Sequence, residues 1–533
     1  MQENVPVTIG VNILETLTTG MYRDPLVIFR EYIQNSCDSI DCAAESKLIE
    51  SDDGCIDIWI KENTVSIEDN GIGIPSIDFK KTLCSIGESQ KTAGINKGFR
   101  GIGHWCGFAH CSTIVFTAKA AGESVESVMK CDAAKMRSMM LDHRLKRENY
   151  SIDAVLSSIA EFFVNETKNI DSHYFKVEMF EVVDAKDELC DLQNVKDYLS
   201  FIIPVGYATE FRFRTQIHKY ANEIAQPIQE YRIYVNGEAI LKKYQPSFTT
   251  HGKGEDTITD VKFKEFNDDT GSLIAWMWFG VSSFKAQMVP ANKMRGIRLR
   301  THNIQIGAED ALQKLFNESN GRGLYYYIGE VFSVSNELLP DSQRDYFEPS
   351  QARTQFERGL YDFFNDELKN IYYAGSKVNS AYDKIEKAEQ IAEEIAKLDS
   401  VSAEQLEKLN KAQDDARKAE SELSKLRKKT DSKLSGNGYG TVEAVVSEII
   451  KKNEERRATR SSPPAPHKTT FAGEKTTSKT TTVTSVIVTP PQVTPGMPSD
   501  KFVSLRKILE IIRALVDSSM ADAIIAKIEE ELL

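Results

Sequence analysis

A chain of 533 residues is too long for one hydrophobic core, so its length predicts several domains. A net charge of −13 and a pI near 5.4 disfavour non-specific coating of nucleic acid by the whole chain. Eight cysteines do not make a disulfide framework at this length. The first residues, MQENVPVTIG, show no basic stretch followed by an apolar one, and the sequence has no apolar run of eighteen residues. We therefore expect a cytoplasmic protein without membrane association.

The first predicted element is a helix over about residues 24–45, which is apolar along one side. Glu31, Asn35 and Asp38 follow at positions i, i+4 and i+7, which lie together on one face of a helix. Carboxylates are rarely buried without a partner, so this polar stripe is predicted to face a ligand. A hydrated Mg²⁺ and a water molecule to be activated fit its chemistry.

Short strands, CIDIWIKE and TVSIED, come next, and Asp69, Gly71 and Gly73 follow in the segment IEDNGIG. Taken alone, this segment also fits an ordinary hairpin turn. A second glycine-rich segment, LCSIGESQKTAGINKGFRGIG, precedes the strand TIVFTAKA. It is not a P-loop, because GESQKT lacks the glycine before the lysine that this motif requires.

Residues 123–200 are predicted to be inserted helices, followed by a strand over ATEFRFRT. From 216 to 375 the pattern changes to the strands YRIYVNGEAI, SLIAWMWFGVSSF and GLYYYIGEVFSV, a helix near 308–318 and a closing helix near 350–373. A cluster of basic residues lies in this part of the chain, and a solvated edge strand is its simplest interpretation. The cluster comprises Lys293, Arg295, Arg298 and Arg300.

Residues 376–432 carry apolar residues at alternating spacings of three and four, with Ser402 and Gln405 as a capping box between two such runs. The break at LDSVS favours a helical hairpin over one long intermolecular coiled coil. Residues 433–500 are predicted to be a flexible linker, because the Thr, Ser, Pro and Lys residues of this region leave too few apolar ones for a core. Residues 501–533 are predicted to form two helices that pair with a second copy or dock on a partner.

Three segments, FREYIQNSCDSID, IEDNGIGIP and KGFRGIGHWCGF, together resemble the nucleotide-binding motifs of the GHKL ATPases. This superfamily includes gyrase, the heat shock protein 90 chaperones, histidine kinases and MutL. With the turn DSQRD, the chain most resembles short bacterial-type relatives of heat shock protein 90 that lack its client-binding C-terminal domain. The resemblance implies an α/β fold: a Bergerat-type α+β sandwich that binds ATP over residues 1–215, a transducer-like α/β domain over 216–375 and a helical extension.

The resemblance also implies residue roles. Glu31 matches the general base of hydrolysis, Asn35 a Mg²⁺ ligand, and Asp38 a nearby polar group that acts through water. Asp69 matches the carboxylate that accepts a hydrogen bond from the exocyclic amine of adenine. Arg344, from the second domain, matches an arginine that reaches the γ-phosphate and reports which nucleotide is bound.

Further positions match the walls of the family's nucleotide cavity. Gly71 and Gly73 would let the backbone approach the base, and the amides of Gly98, Gly101 and Gly103 would face the phosphates. Ser89 and Lys91 lie in a segment that resembles the mobile lid, although Lys91 also fits an ordinary loop lysine. Thr209 would contact the adenine side.

We expect from this resemblance a slow ATPase that uses ATP and Mg²⁺ and works as a dimeric clamp on a protein client. The C-terminal helices would hold two chains together. Two alternatives remain open from the sequence. One is a DNA-associated clamp similar to MutL or the MORC proteins, which the basic cluster favours and the overall charge disfavours. The other is a nucleotide sensor or scaffold that does not hydrolyse ATP.

Overall fold

The computed structural model describes residues 10–21, 24–87, 91–98, 100–317, 321–398, 400–434 and 441–461. The α-helices are α1 (Asn12–Glu15), α2 (Val27–Glu45), α3 (Ser76–Cys84), α4 (Ala133–Arg144), α5 (Ile152–Ile159), α6 (Lys186–Leu189), α7 (Leu192–Ile202), α8 (Arg214–Glu223), α9 (Gln351–Phe363), α10 (Lys369–Ala396), α11 (Ala403–Leu434) and α12 (Thr441–Ser461). None of the helices within these ranges is both long and apolar enough to span a membrane.

The strands are β1 (Cys55–Lys61), β2 (Thr64–Asp69), β3 (Cys111–Lys119), β4 (Val125–Asp132), β5 (Ala160–Glu166), β6 (Tyr174–Val182), β7 (Arg232–Val235), β8 (Glu238–Ala239), β9 (Ser247–Thr250), β10 (Gly254–Thr257), β11 (Asp260–Asn267), β12 (Leu273–Val281), β13 (Gly296–Thr301), β14 (Ile304–Ile306) and β15 (Ile328–Ser333). They form an eight-stranded, a five-stranded and a two-stranded sheet, so the fold is α/β, as predicted.

The eight-stranded sheet carries the first core, and its strand order is β5-β4-β3-β6-β2-β1-β7-β8. Helix α2 packs its apolar side on this sheet, so that Ile28, Phe29 and Ile33 join Ile58 and Ile67 in one buried cluster. The alternation of buried and exposed residues along β1 and β2 explains why these strands were predictable. The opposite side of α2 remains available for the polar stripe.

Three predictions about this region are wrong. The range 123–200 is not a purely helical insertion, because β4, β5 and β6 belong to the sheet. The strand YRIYVNGEAI was assigned to the second domain, yet β7 pairs in parallel with β1 of the first sheet. The segment ATEFRFRT forms turns and the start of α8 instead of a strand, and its alternating Phe211 and Phe213 both pack in a separate core with Trp276 and Trp278.

The five-stranded sheet, in the order β11-β12-β15-β13-β14, carries the second core. Strand β12 is buried at nearly every position, which is typical of a central strand covered on both faces. Helix α9 covers one face. The helix predicted near 308–318 is wrong in its described part, which contains only a 3₁₀ helix over Gln313–Leu315.

Helix α9 continues through a π-helical turn, Phe364–Leu368, directly into α10. Helix α11 then folds back on α10, and the predicted capping box is confirmed: Ser402 and Gln405 exchange hydrogen bonds of 2.9 and 3.2 Å. The two runs therefore form a hairpin.

The predicted linker over 433–500 is wrong for residues 441–461, which form α12. Val445, Val446, Ile449 and Ile450 of this helix are buried against the second core. Asn453 meets Asn379, and Arg456 pairs with Glu386, so α12 runs parallel to α10. The rest of the linker and the predicted assembly helices at 501–533 lie outside the described residues.

Candidate functional site

The polar stripe of α2 faces the glycine-rich segment around residues 91–103, and its acidic members are buried. Glu31 is 7% and Asp38 is 2% exposed. Such burial requires partners, and those partners come from three separate parts of the chain. They are the lid segment, the start of a 3₁₀ helix over Gly103–Ala109, and a loop of the second domain.

The two carboxylate oxygens of Glu31 have different surroundings. Three N–H groups approach Oε1: Arg30 Nη2 at 3.4 Å, Gln34 Nε2 at 3.4 Å and Arg344 Nε at 3.7 Å. The other oxygen, Oε2, lies beside Gly103, where an added Cβ would stand 3.0 Å away. One oxygen is therefore anchored, while the other faces the backbone of the glycine-rich segment.

Asn35 and Asp38 share one cation. The ammonium of Lys91 lies 3.3 Å from Oδ1 of Asn35 and 2.7 Å from Oδ2 of Asp38. This ammonium stands in for a positive ion bound by a carboxamide oxygen and a carboxylate. Mg²⁺ takes oxygen ligands and keeps several waters, so these two oxygens fit it directly or through a bound water.

Backbone amides of the glycine-rich segment bind an anion, and that anion is the carboxylate of Asp38. The amides of Lys97 and Gly98 donate to its two oxygens at 2.9 and 3.0 Å. Here the carboxylate stands in for phosphate oxygens, which prefer the same donors. A Cβ on Gly98 would lie 2.9 Å from Oδ1 of Asn35, so the close approach to α2 requires glycine at this position.

Asp69 ends β2 and is 2% exposed. Burial raises the pKa of its carboxyl to about 7, against the opposing effect of hydrogen bonds from Ser36, the amide of Gly71 and Ser39. The amide of Gly71 lies 3.0 Å from Oδ1. Two serines of α2, the helix that also carries the polar stripe, thus orient this carboxyl.

The DNGIG segment needs both of its glycines. A Cβ on Gly71 would lie 2.1 Å from Oγ of Ser39, and one on Gly73 would lie 1.9 Å from the carbonyl oxygen of Lys119. Gly73 also has φ = +70°. The segment leads from β2 into α3, so it is not a hairpin turn.

The second domain reaches this site through the loop at 336–348. Arg344, at φ = +58°, donates to the carbonyl oxygen of Lys97 in addition to its approach to Glu31. Arg30 donates to the carbonyl oxygen of Gln343 at 3.2 Å. Arg100 donates to that of Pro340 at 2.9 Å and pairs with Glu348 at 2.5 Å. The loop therefore contacts both the helix and the glycine-rich segment.

The structure thus brings most of the predicted site residues together: Glu31, Asn35, Asp38, Lys91, Gly98, Gly103 and Arg344. Gly101 has φ = +68° and accepts a hydrogen bond from the amide of Gly87 through its carbonyl oxygen. Ser89 lies outside the described residues. Thr209 lies in an exposed turn, and the strand on which its match depended is not formed.

The basic cluster does not form a solvent-facing patch. Arg298 and Arg300 are buried, and Arg300 pairs with the buried Glu330. Arg295 pairs with Glu309 at 2.5 Å. The interpretation of these residues as a solvated edge is wrong, and buried guanidinium groups are not available to DNA phosphates.

Three residues of the site were missed by the sequence analysis. Arg30 and Gln34 flank Glu31 on α2, and Lys97 places its ammonium 2.6 Å from Oδ2 of Asp41 on the same helix. Gln34 was detectable from helical spacing, since it lies three residues after Glu31. Lys97 carried no periodic signal, because it lies in a loop.

Residues 26–160 match a protein-family model described as "Histidine kinase-, DNA gyrase B-, and HSP90-like ATPase". The matched range contains α2, the DNGIG segment and the glycine-rich segment, and thus the N-terminal walls of the site. The match and the geometry agree for this part of the chain: residues 26–160 are similar to an ATPase domain of the GHKL type.

Proposed function

We propose that this protein is an ATP-hydrolysing conformational switch similar to heat shock protein 90, working as a dimeric clamp on a protein client. One observation carries the proposal: Glu31 of α2 lies beside Gly103 of the glycine-rich segment and 3.7 Å from Nε of Arg344 in the second domain. A carboxylate shared in this way makes hydrolysis and the position of the second domain depend on each other.

In the proposed mechanism, Asp69 accepts a hydrogen bond from the adenine amine, and the amides of Lys97 and Gly98 move from Asp38 to phosphate oxygens. Asn35 would hold Mg²⁺, with Asp38 acting through one of its waters. A metal ion held there would supply positive charge to the phosphate oxygens. Lys91 then leaves Asn35 and Asp38 and becomes available to the phosphates.

Glu31 accepts the proton of the attacking water through Oε2, the oxygen that faces Gly103. Arg344 donates to the γ-phosphate and stabilises the charge that develops on it. After phosphate leaves, this charge-assisted contact is lost, and the second domain can move away from α2. Helices beyond the described residues would keep two chains together during the cycle.

The experiment measures ATP binding by calorimetry and turnover by phosphate release. Glu31→Ala should bind ATP as the wild type does and lose about 10²-fold to 10⁴-fold in kcat, the usual contribution of a general base. Asp69→Asn should abolish ATP binding, because its one acceptor oxygen is taken by the amide of Gly71 and its Nδ2 donor would then face the adenine amine. Wild-type turnover by Glu31→Ala would remove Glu31 as the base.

A client can be sought with the Glu31→Ala protein held on ATP. If the clamp closes on a protein, this variant should retain that partner in a pull-down with ATP and release it with ADP. Equal recovery with both nucleotides would contradict a clamp that is closed by ATP.

A further inference from the structure

Gln34 lies one helical turn beyond Glu31 on α2, and its side chain is fully buried. Its Nε2 lies 3.4 Å from Oε1 of Glu31. The reverse orientation of the carboxamide would place two oxygen atoms against each other, so Gln34 is the donor in this contact. The neighbouring residue, Asn35, faces the cation-binding side of the same stripe.

The other carboxamide atom of Gln34, Oε1, is buried and meets no donor within the described ranges. A buried acceptor without a donor destabilises the folded state, because its hydration is lost and not replaced. Gln305 shows the contrasting case, because this buried glutamine accepts from Arg298 and donates to the carbonyl oxygen of Gly307. Gln34 is therefore poorly explained as a residue that only stabilises the fold.

The three donors near Oε1 of Glu31 differ in whether their position depends on the second domain. Arg344 belongs to the second domain, and Arg30 is also held there by the carbonyl oxygen of Gln343. Gln34 lies on the same helix as Glu31, so its contact persists wherever the second domain stands. It is also neutral, and a neutral donor orients a carboxylate without stabilising its ionised form as strongly as a cation does.

We propose that Gln34 is a positioning residue for ATP hydrolysis, which anchors Oε1 of Glu31 so that Oε2 faces Gly103 and the attacking water. The inference rests on the function proposed above. Gln34 acts through Glu31 and does not contact the reacting atoms. Its effect should therefore appear in the chemical step and not in nucleotide binding.

The test compares Gln34→Met, which keeps the side-chain length and removes the donor, with the wild type. We expect kcat to fall by about tenfold to 10²-fold, the cost of misplacing a catalytic group by about 1 Å, with an unchanged Kd for ATP. Gln34→Leu also lacks the donor and adds no charge, so it should show the same split if Gln34→Met folds poorly. The matched control is Gln305→Met, a buried glutamine of the second domain, for which kcat per folded molecule should be unchanged.

A double-mutant comparison separates positioning from a general structural effect. Adding Gln34→Met to Glu31→Ala should lower turnover no further, because the residue through which Gln34 acts is already absent. Wild-type kcat in both Gln34 variants, or a fall in kcat matched by an equal loss of ATP affinity, would overturn the inference. If Glu31→Ala itself retained wild-type turnover, the proposed function would fail instead.

Discussion

Gly73 is the residue at which the site tolerates least change. Its φ of +70° is strained for any other residue, and a Cβ would lie 1.9 Å from the carbonyl oxygen of Lys119. Gly87 shares the positive φ, +76°, but a Cβ there meets nothing within 4 Å. The two glycines therefore separate the cost of backbone strain from the cost of a steric clash.

Gly87→Ala should destabilise the protein by about 1–2 kcal/mol, the usual cost of a left-handed conformation. Gly73→Ala should cost clearly more, because the chain must also move away from Lys119. Chemical denaturation monitored by circular dichroism measures both variants. Equal stability of the two would contradict the close contact between Gly73 and β3.

His104 predicts a specific dependence of stability on pH. Burial lowers the pKa of its imidazole to about 4, against the opposing effect of its hydrogen bond with the carbonyl oxygen of Leu83. The unfolded chain protonates histidine near pH 6.5, so it binds more protons than the folded protein between pH 6.5 and 4. This contribution is present above pH 6.5 and is lost as the pH falls towards 4.

His104→Gln should remove on the order of 3 kcal/mol from the fall in unfolding free energy between pH 6.5 and 4. Urea denaturation at a series of pH values measures it. An unchanged pH profile in His104→Gln would mean that folding does not lower the pKa of this imidazole.

Among single residues, the sequence predicted the polar stripe of Glu31, Asn35 and Asp38, because helical spacing alone places them on one face of α2. It did not predict the burial of Arg298 and Arg300. The partner of Arg300, Glu330, lies 30 residues further along the chain, and burial of a charge depends on such distant contacts. Patterns within a short window do not contain that information.

Among the elements, β13 and β15 are joined by a buried ionic network. Glu330 pairs with Arg300 at 2.5 Å and with Lys242 at 3.0 Å, and Tyr244 donates to it at 3.2 Å. Burial acts to raise the pKa of Glu330, but Arg300 and Lys242 outweigh this effect and hold it at about 2. A single carboxylate therefore balances two buried cations.

Glu330→Gln should destabilise the protein by about 3–5 kcal/mol, because it leaves both cations without an anion. Lys242→Met should cost less, since Arg300 and Glu330 still balance each other. Thermal denaturation of both variants measures this difference, and Glu330→Gln should have the lower midpoint temperature. Greater loss in Lys242→Met would show that Lys242 is not a surplus charge in this network.

Helix α12 was not predicted, because the composition of its surroundings is that of a linker. Its apolar residues Val445, Val446, Ile449 and Ile450 have helical spacing, but they stand among many charged residues and next to a Thr-, Ser- and Pro-rich segment. Averaged composition therefore indicated a linker. These residues pack on α10, which extends to Ala396. The predicted second domain ended at residue 375, so this packing surface was not foreseen.

Ile449→Ala should lower the unfolding free energy by about 2–5 kcal/mol, as expected for a buried isoleucine. Lys451→Ala, two residues away and exposed, should change it by no more than about 0.5 kcal/mol. Thermal or chemical denaturation measures both. Similar small effects would mean that α12 is not packed on the second core.

For the whole molecule, the contacts between the first domain and the loop at 336–348 would be the basis of the coupling proposed above. Arg100 provides two of them, to Pro340 and Glu348. Arg100→Ala should retain ATP binding and weaken the response of this loop to ATP. Arg144→Ala is the control, because Arg144 pairs with Glu15 within the first domain.

Hydrogen exchange of residues 336–348 with and without ATP measures this response. In the wild type and in Arg144→Ala, ATP should slow exchange in the loop, and in Arg100→Ala the slowing should be smaller. An equal response in all three proteins would exclude Arg100 from the coupling. The sequence predicted the α/β fold and the arginine of the DSQRD turn, but not Arg100, whose partners lie more than two hundred residues away.

The uninterrupted run of helix from Gln351 to Ala396 begins three residues after Glu348, the partner of Arg100. At about 1.5 Å per residue it extends for roughly 70 Å. A rod of this length acts as a lever, so that a tilt of about 5° at its base displaces its far end by roughly 6 Å. A small movement caused by the loss of one phosphate contact would thereby become a displacement as wide as a side chain at the hairpin between α10 and α11.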